Sequence, residues 1–485
     1  MIKIKNYING ELIDPKNQHY IDNIDPSRGK VYSQIPSSDK EDVEIAVKAS
    51  EKAFETWSNM PKEQRSDIML KVADLIEERM DEFVIAESLD NGKPISLAKA
   101  VDIPRAVSNF KFFATAILHY ASESHYMEGV GVNYTVRKPL GVVGCISPWN
   151  LPLYLFTWKI APALAAGNCV VAKPSEITPM TAFLLSKACI DAGMPKGVLN
   201  IIHGLGQNVG DAITRHPKIK AISFTGGTQT GKTIASIAAP MFKKLSLELG
   251  GKNPNIIFAD CDFDKALSTT LRSSFANQGQ ICLCGSRIFI ERPIYDKFKQ
   301  AFVAKVNKTK VSYPTDPDAR LGAVVSKSHM EKILSYIDLA KEEGGTILSG
   351  GTQVFLEGEY EDGYYIRPTV IEGLDYKCRV NQEEIFGPVV TITPFDTEEE
   401  VLMMANSTQY GLSATIWTEN LTKAHRVADV VQAGIVWINS WLVRDLRTPF
   451  GGVKASGVGR EGGFEALHFF TEPKNIFIKM GERGH

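Results

Sequence analysis

From Gly141 onward, short apolar segments alternate with helical stretches, and this alternation limits the possible folds more than any other feature of the chain. The predicted strands and helices of this region lie at 141–146, 168–173, 179–192, 198–204, 209–216, 221–226 and 246–251. Strands that alternate with helices form a parallel sheet with both faces covered. The sequence therefore predicts an α/β protein.

A second α/β stretch begins near Pro254. Its predicted strands and helices lie at 255–260, 263–276, 286–291, 293–307, 389–395 and 435–440. Ahead of the first stretch, apolar residues at helical spacing predict helices along 43–57 and about 64–87. We therefore expect two α/β units, with helices preceding the first.

Two further segments lie outside both α/β stretches. The segment 126–138 is typical of a β-hairpin, and the C-terminal segment 469–480 is typical of a strand. Because exposed strand edges bind further strands, we favour an arm that pairs with another subunit. The alternative is that both segments only close the sheet of their own chain.

Composition limits the class of protein and its partners. The 485 residues correspond to about three domains. Lysine and arginine (54) nearly balance aspartate and glutamate (56), which argues against nucleic acid as the main partner. The chain has no apolar run of the roughly 18 residues that suggest a transmembrane helix, and its start lacks the apolar core of a signal peptide. We expect a soluble, cytoplasmic protein with no membrane partner.

The seven cysteines are sparse and odd in number, which argues against a disulfide scaffold. Cys282 and Cys284 are close in sequence, but no second cysteine pair or histidine cluster completes a zinc site, so we expect no metal. Cys282 follows a polar, glycine-containing stretch after a predicted helix, and a thiolate there could attack a carbonyl carbon. The alternative, a small core residue, is the commoner role of a free cysteine.

Two other polar residues stand in places that suit catalysis. Glu248 lies within an apolar strand, where burial would raise its pKa and suit it to act as a general base. Asn150 lies between Pro148 and Pro152 in a turn, where its amide could donate to an oxyanion. The alternatives are a glutamate in a salt bridge at the strand end and a turn asparagine bonded to its own backbone.

Several strand-to-helix turns could bind a phosphate or a ribose. The segment 203–210 departs from the dinucleotide fingerprint, but 224–232 follows a strand and opens a helix, where backbone amides bind pyrophosphate. Lys173 and Glu176 could bind ribose hydroxyls, and Glu176 would repel a 2′-phosphate. Each turn alone fits an ordinary surface turn equally well.

Seven ordered motifs together resemble the aldehyde dehydrogenase superfamily. They are PWNLP (148–152), KPSE (173–176), FTGGTQTG (224–231), LELGGKNP (247–254), NQGQIC (277–282), EEIFGP (383–388) and PFGGVKASGVGRE (449–461). The resemblance implies that Cys282 is the nucleophile, Glu248 the base and Asn150 the oxyanion donor. It also implies NAD as cofactor, bound by Ile146, Trp149, Lys173, Ser175, Glu176, Phe224, Gly226, Gly227, Leu249, Glu384 and Phe386.

The same resemblance implies a domain organisation. A Rossmann-like NAD-binding domain would comprise residues 1–121 and 139–250, and an α/β catalytic domain residues 251–450. Residues 122–138 and 467–485 would form a small β arm that makes the protein a homo-oligomer, either a dimer or a tetramer.

A narrower resemblance concerns the substrate. The segments 277–290 and 439–452 are similar to those of the 2-aminomuconate and 2-hydroxymuconate semialdehyde dehydrogenases, a subgroup that also contains enzymes described as retinal dehydrogenases. This similarity implies that Arg444 and Arg105 bind a substrate carboxylate, beside Trp158 and Phe450. A planar guanidinium can hold a carboxylate with two hydrogen bonds. The alternative is that Arg444 pairs with Asp445 or another acid and only shapes the substrate tunnel.

We therefore expect oxidation of a carboxylated semialdehyde through a cysteine thiohemiacetal and a thioester. A broad-range or retinal aldehyde dehydrogenase is the main alternative. A CoA-acylating dehydrogenase has no need for the water-activating Glu248, and a cysteine hydrolase would need a histidine near Cys282. A non-catalytic binding protein would not need to retain Cys282, Glu248 and Asn150 together.

Overall fold

Two large sheets, each packed against helices, make up most of the computed structural model, which describes residues 1–481. Its strands, in chain order, are β1 Ile2–Lys3, β2 Asn6–Ile8, β3 Glu11–Ile13, β4 Tyr20–Asp25, β5 Lys30–Pro36, β6 Ser124–Met127, β7 Gly131–Pro139, β8 Val142–Ile146, β9 Cys169–Lys173, β10 Leu199–Ile201, β11 Ile219–Thr225, β12 Lys244–Glu248, β13 Pro254–Ile257, β14 Arg287–Glu291, β15 Thr346–Ser349, β16 Gln353–Val354, β17 Tyr365–Ile366, β18 Thr369–Glu372, β19 Val389–Phe395, β20 Tyr410–Gly411, β21 Ser413–Trp417, β22 Ile435–Ile438, β23 Val453–Lys454, β24 Gly457–Val458 and β25 Thr471–Lys479.

The α-helices follow the strands in the alternation that the sequence predicts. They are α1 Lys40–Asn59, α2 Lys62–Glu78, α3 Met80–Asn91, α4 Ile95–Leu97, α5 Ile103–Ala116, α6 Pro152–Ala165, α7 Met180–Asp191, α8 Asp211–Arg215, α9 Thr228–Ala238, α10 Phe263–Phe275, α11 Arg292–Asn307, α12 Lys327–Glu342, α13 Arg379–Gln382, α14 Glu398–Asn406, α15 Leu421–Val430 and α16 Gly463–Phe469. Short π or 3₁₀ turns lie at Ala98–Asp102, Gly206–Gly210, Ile117–His119, Ala239–Met241, Ala276–Gly279 and Gly358–Tyr360.

The first sheet has eight strands in the order β24-β12-β11-β8-β9-β10-β2-β3. Its five central strands, from β12 to β10, are parallel, whereas β24, β2 and β3 pair antiparallel at the two ends. This confirms the predicted parallel sheet. The C-terminal β24 returns to this sheet beside β12, the strand that carries Glu248.

The second sheet has seven strands in the order β15-β18-β19-β14-β13-β21-β22. All neighbours are parallel except β15 and β18. It confirms the second α/β unit. The loop between α10 and β14 carries Cys282, so the nucleophile expected from the sequence lies beside this sheet while Glu248 lies on the first.

A small third sheet has the order β25-β7-β6 and joins neither large sheet. The hairpin β6–β7 and the strand β25 confirm the two strand-forming segments outside the α/β units. Residues 482–485 of the predicted arm lie outside the described residues. Phe469 and Phe470, which we expected to begin the strand, instead end α16, because Phe470 is buried in the core.

The predicted helix over 64–87 is wrong in one respect, because the structure has two helices there. The break lies at Arg79, whose ψ of 24° departs from helical geometry. Helix α2 packs mainly against α5, whereas α3 packs mainly against α7 and the turn Ala98–Asp102 and also reaches β4. The break at Arg79 lets the second piece follow a different direction from the first.

Helix α6 lies between the first sheet and the helices α2 and α5, and every one of its residues is buried. Its sequence is apolar on all sides, as expected of a helix enclosed by protein. Pro152 occupies its first turn, where proline fits without losing a hydrogen bond. Through this helix, the turn that contains Asn150 is attached to the core.

No helix within residues 1–481 is long and apolar enough to cross a membrane. The cytoplasmic location stays a prediction.

Candidate active site

Cys282 lies half-buried in a tightly folded loop that follows α10. Asn277 and Gln278 adopt left-handed backbone angles there, and a Cβ on Gly279 would lie 2.1 Å from the Gly387 carbonyl oxygen. The loop therefore packs closely enough that only glycine fits at position 279. The Asn253 amide donates to the carbonyls of Cys282 (2.7 Å) and Cys284 (2.8 Å), which fixes the loop.

Two cavities meet at Cys282. The first, which we name the Arg105 cavity, has a volume of about 350 Å³. Its lining includes Arg105, Leu151, Tyr154, Trp158, Glu248, Cys282, Arg444 and Phe450. The second, the Trp149 cavity, has a volume of about 200 Å³, and its lining includes Trp149, Asn150, Gly226, Gly227, Leu249, Cys282, His329, Glu384 and Phe386. A thiol at the junction can contact ligands in both.

Glu248 ends β12 and is buried, and its Oε1 atom accepts no hydrogen bond within the described chain. Burial raises the pKa of this carboxyl group well above its usual value, and the nearby Glu461 carboxylate raises it further. Positive charges on Lys159 and Arg444 act in the opposite direction. The carboxyl group therefore has a raised pKa and one oxygen without a hydrogen-bond donor, and its role as the general base stays a prediction.

Lys159 and Glu461 form a buried ion pair beside Glu248 that the sequence analysis missed. The Lys159 Nζ atom lies 2.8 Å from Glu461 Oε1, and the Ser223 hydroxyl donates to the same oxygen at 2.9 Å. A lysine within the otherwise apolar α6 was the available signal. Its partner could not be found from spacing, because Glu461 lies 302 residues away.

Asn150 is buried, and its Nδ2 atom donates to the Gln280 carbonyl of the cysteine loop at 2.9 Å. Since this contact crosses to another segment, the alternative of a turn asparagine bonded to its own backbone is wrong. A side-chain amide has two donor hydrogens, so the second remains for a ligand. Asn150 and Cys282 both line the Trp149 cavity.

A buried lysine stands behind the Asn150 turn. Lys93 is fully buried, and its Nζ atom donates to Asp102 (2.8 Å) and to the Asn150 carbonyl (3.3 Å). Glu87 lies 3.7 Å from the same Nζ atom, and burial raises the pKa of Glu87 to about 8. The Asn277 amide also donates to the Asn150 carbonyl at 2.8 Å. The turn is therefore held from two sides, and sequence reasoning identified neither Lys93 nor Asn277 as its support.

The Trp149 cavity opens where β11 ends and α9 begins. No atom lies within 4 Å of the place where a Cβ on Gly227 would stand, so the backbone there is open to a ligand. Glu384 accepts a hydrogen bond from the Gly251 amide at 2.8 Å, and burial raises its pKa. Trp149 packs edge-on against Phe386 and His329, and the sequence analysis did not single out His329.

Three of the expected cofactor residues lie side by side at the carboxyl ends of parallel strands. Lys173 of β9 pairs with Ile146 of β8, which pairs with Phe224 of β11. The Lys173 ammonium lies 2.7 Å from Glu176. Burial acts to raise the pKa of Glu176, but the charge and hydrogen bond of Lys173 together with backbone hydrogen bonds outweigh it, so the pKa is lowered. The Ser175 hydroxyl accepts from the amide two residues later and caps this turn.

These residues do not line either cavity at Cys282. They lie along the strand ends of the same sheet that carries the Trp149 cavity, and ligands of open α/β sheets bind along that edge. A ligand that contacts both the Trp149 cavity and Lys173 would have to be an elongated molecule that lies along this edge of the sheet.

Arg444 and Arg105 both line the Arg105 cavity. The guanidinium carbon of Arg444 lies 3.9 Å from the ring centroid of Phe450 and 5.0 Å from that of Trp158. Its Nη1 atom donates a hydrogen bond to the Tyr154 hydroxyl at 2.8 Å. Asp445 forms its ion pair with Arg447, so the alternative that Arg444 pairs with Asp445 is wrong. Neither cavity arginine lies within ion-pair distance of a carboxylate in residues 1–481.

The described residues contain no cluster of histidine, cysteine, aspartate and glutamate side chains able to hold a metal ion. Cys284 is buried behind the loop, with its sulfur 3.9 Å from the Ala276 carbonyl oxygen, and it lines neither cavity.

Comparison with known proteins gives a consistent result. The aldehyde dehydrogenase family matches residues 12–476. The 2-aminomuconic semialdehyde dehydrogenase of Danio rerio is 51% identical over 479 residues, covering 98% of each chain, and the 2-hydroxymuconic semialdehyde dehydrogenase of Pseudomonas sp. strain CF600 is 48% identical, covering 99% of this chain and all of the other. The NAD⁺ complex of an aldehyde dehydrogenase from Bacillus cereus superposes with a TM-score of 0.96 at 39% identity, covering 99% of this chain and 97% of that one.

The buried Lys93 cluster yields a stability prediction. Lys93→Met keeps the volume but leaves the Asp102 and Glu87 carboxyl groups without their cation. Removing one partner of a buried ion pair costs about 3–5 kcal/mol, so chemical denaturation should show a large loss of stability. Lys99→Met is the matched control, because Lys99 is exposed and its pair with Asp81 contributes at most about 1 kcal/mol. Equal stability of the two variants would contradict this reading of the cluster.

Proposed function

The chain belongs to the aldehyde dehydrogenase family, and from that premise we propose that it oxidises a carboxylated semialdehyde to the corresponding acid, with NAD as hydride acceptor. The single observation that carries the proposal is the placement of Cys282 at the junction of two cavities, one of which contains two arginines without carboxylate partners. Semialdehydes of the 2-aminomuconate or 2-hydroxymuconate type carry an aldehyde, which suits Cys282, and a carboxylate, which suits the two arginines.

The residues around the Trp149 cavity fit a dinucleotide. The open backbone at Gly227, the strand ends of Lys173 and Phe224, and the ionised Glu176 support this placement. A carboxylate at Glu176 favours ribose hydroxyls and disfavours a 2′-phosphate, so we propose NAD over NADP. Bound there, NAD supplies the acceptor for the hydride that the tetrahedral adduct loses.

The chemistry starts at the Cys282 sulfur. Burial and the nearby Glu248 carboxylate raise the pKa of the thiol, so it is protonated at rest. It releases its proton to solvent, and the resulting thiolate attacks the aldehyde carbon. The second hydrogen of the Asn150 amide and the Cys282 N–H bind the oxyanion of the resulting thiohemiacetal. The enzyme is left with a thioester once the hydride has gone. Glu248 then takes a proton from the water that hydrolyses this thioester.

The three-stranded sheet supports a homo-oligomer, either a dimer or a tetramer. Every residue of β6 is exposed, and the strands β6 and β25 each leave one edge unpaired within the described chain. Exposed apolar side chains, among them Tyr126, Met127, Phe477 and Ile478, lie on this sheet. A second copy of this chain would both pair with the free strand edges and cover the exposed apolar side chains. Sedimentation should give a mass of two or four chains, and a monomer would contradict the arm.

The raised pKa of Glu248 predicts a pH dependence of the thioester hydrolysis. A general base works only when ionised, so the rate should rise as the pH rises through that pKa. Glu248→Gln should lose this dependence and slow steady-state turnover by about 10²–10⁴-fold, while a rapid first burst of NADH persists. Stopped-flow measurements of NADH at several pH values check both effects. Turnover that keeps its rate and pH profile in the variant would exclude Glu248 as the base.

The two cavity arginines predict substrate selectivity. Arg444→Met should lower kcat/KM for carboxylated semialdehydes about 10–100-fold, the range that a lost hydrogen bond to a charged group gives, and lower that for neutral aldehydes much less. Arg447→Met is the matched control, because Arg447 lies on the same loop but pairs with Asp445 outside the cavity. A wild-type enzyme that prefers neutral apolar aldehydes such as retinal would contradict the proposed substrate class, and acyl-CoA formation with added CoA would contradict hydrolysis.

A further inference from the structure

Tyr154 stands between the two cavity arginines. Its hydroxyl oxygen accepts a hydrogen bond from Arg444 Nη1 at 2.8 Å, and its ring lies 5.4 Å from the Arg105 guanidinium carbon. We propose that Tyr154 is a specificity-determining residue that orients Arg444 and donates its own hydroxyl hydrogen to the substrate carboxylate. This inference rests on the proposed function and deepens it.

The hydrogen-bonding capacity of the phenol supports the second part of the proposal. A tyrosine hydroxyl accepts up to two hydrogen bonds and donates one. Arg444 occupies an acceptor position, and within residues 1–481 the Tyr154 hydroxyl donates to no other group. Tyr154 is only 6% exposed but lines the Arg105 cavity, so its unused donor hydrogen is available to a ligand there. A carboxylate in the Arg105 cavity would use this donor.

The tyrosine is held firmly enough to orient its partners. The Asn109 amide donates to the Tyr154 carbonyl and to the Thr157 hydroxyl, both at 3.0 Å, and Asn109 is fully buried on α5. Arg105 lies four residues before Asn109 on the same helix, so the two residues share one face. The contact between α5 and α6 therefore sets the position of the Tyr154 ring relative to Arg105.

Stacking on two aromatic rings limits the directions in which the Arg444 guanidinium can donate hydrogen bonds. Trp158 and Phe450 both pack against the Arg444 guanidinium. Because a guanidinium donates hydrogen bonds in its own plane, its partners must lie along the edge of that plane. Tyr154 takes one donor of that edge, which selects the orientation in which the other donors are offered. A carboxylate that binds this edge and the phenol hydrogen together would be recognised by groups from two distant segments.

The test is the variant Tyr154→Phe, which keeps the ring against Arg105 and removes only the hydroxyl. For carboxylated semialdehydes, kcat/KM should fall about 10-fold or more, mainly through a higher KM. For neutral aldehydes, the fall in kcat/KM should be several-fold smaller, and Tyr376→Phe, which removes a hydroxyl outside both cavities, should leave both substrate classes unaffected. In the Arg444→Met background, the further effect of Tyr154→Phe should be much smaller, because the two residues act on one carboxylate.

The outcomes separate this inference from the proposed function. Unchanged kinetics of Tyr154→Phe, or an equal loss for carboxylated and neutral aldehydes, overturns the role of Tyr154 while the wild-type preference for carboxylated aldehydes still stands. A wild-type enzyme without that preference overturns the proposed function and this inference with it.

Discussion

Two reciprocal hydrogen bonds join the Asn150 turn to the cysteine loop, and the relative placement of Asn150 and Cys282 depends on them. The Asn150 amide, from the turn between β8 and α6, donates to the Gln280 carbonyl of the cysteine loop at 2.9 Å. The Asn277 amide of that loop donates back to the Asn150 carbonyl at 2.8 Å. Because the turn belongs to the first sheet and the loop to the second, these reciprocal bonds fix Asn150, the proposed oxyanion donor, relative to Cys282, the proposed nucleophile.

The surroundings of this junction contain an unusual number of buried charges. Lys93 with Asp102, and Lys159 with Glu461, are paired at 2.8 Å, as buried ions must be. Glu248 differs from them, because no cation within the described chain lies at ion-pair distance from it and it lines the Arg105 cavity beside another carboxylate. A buried carboxyl group without an ion-pair partner in a cavity is typical of a catalytic position rather than a structural one. For this reason we propose Glu248 as the general base.

Much of the fold could be predicted from the sequence, because the spacing of apolar residues and the turn residues determine secondary structure locally. The parallel strands, the helices between them and the hairpin were predicted from pattern alone. The break at Arg79 was not predicted, since it depends on the tertiary packing of α2 and α3 and the apolar pattern continues across it. For the site, the residues alone left Cys282, Glu248 and Asn150 ambiguous, and only the order of the motifs assigned their roles. Partners such as Tyr154 for Arg444, 290 residues apart, are set by tertiary packing and leave no mark on local spacing.

The account rests on a covalent bond between substrate and Cys282. The Glu248→Gln variant should accumulate the acyl enzyme, because its thioester is formed but hydrolysed slowly. Mass spectrometry of the peptide that contains residues 277–287, after reaction with NAD and a carboxylated semialdehyde, should show the added acyl mass on Cys282. An adduct on Cys284 or another residue, or an unmodified protein that nevertheless produces NADH, would contradict the account.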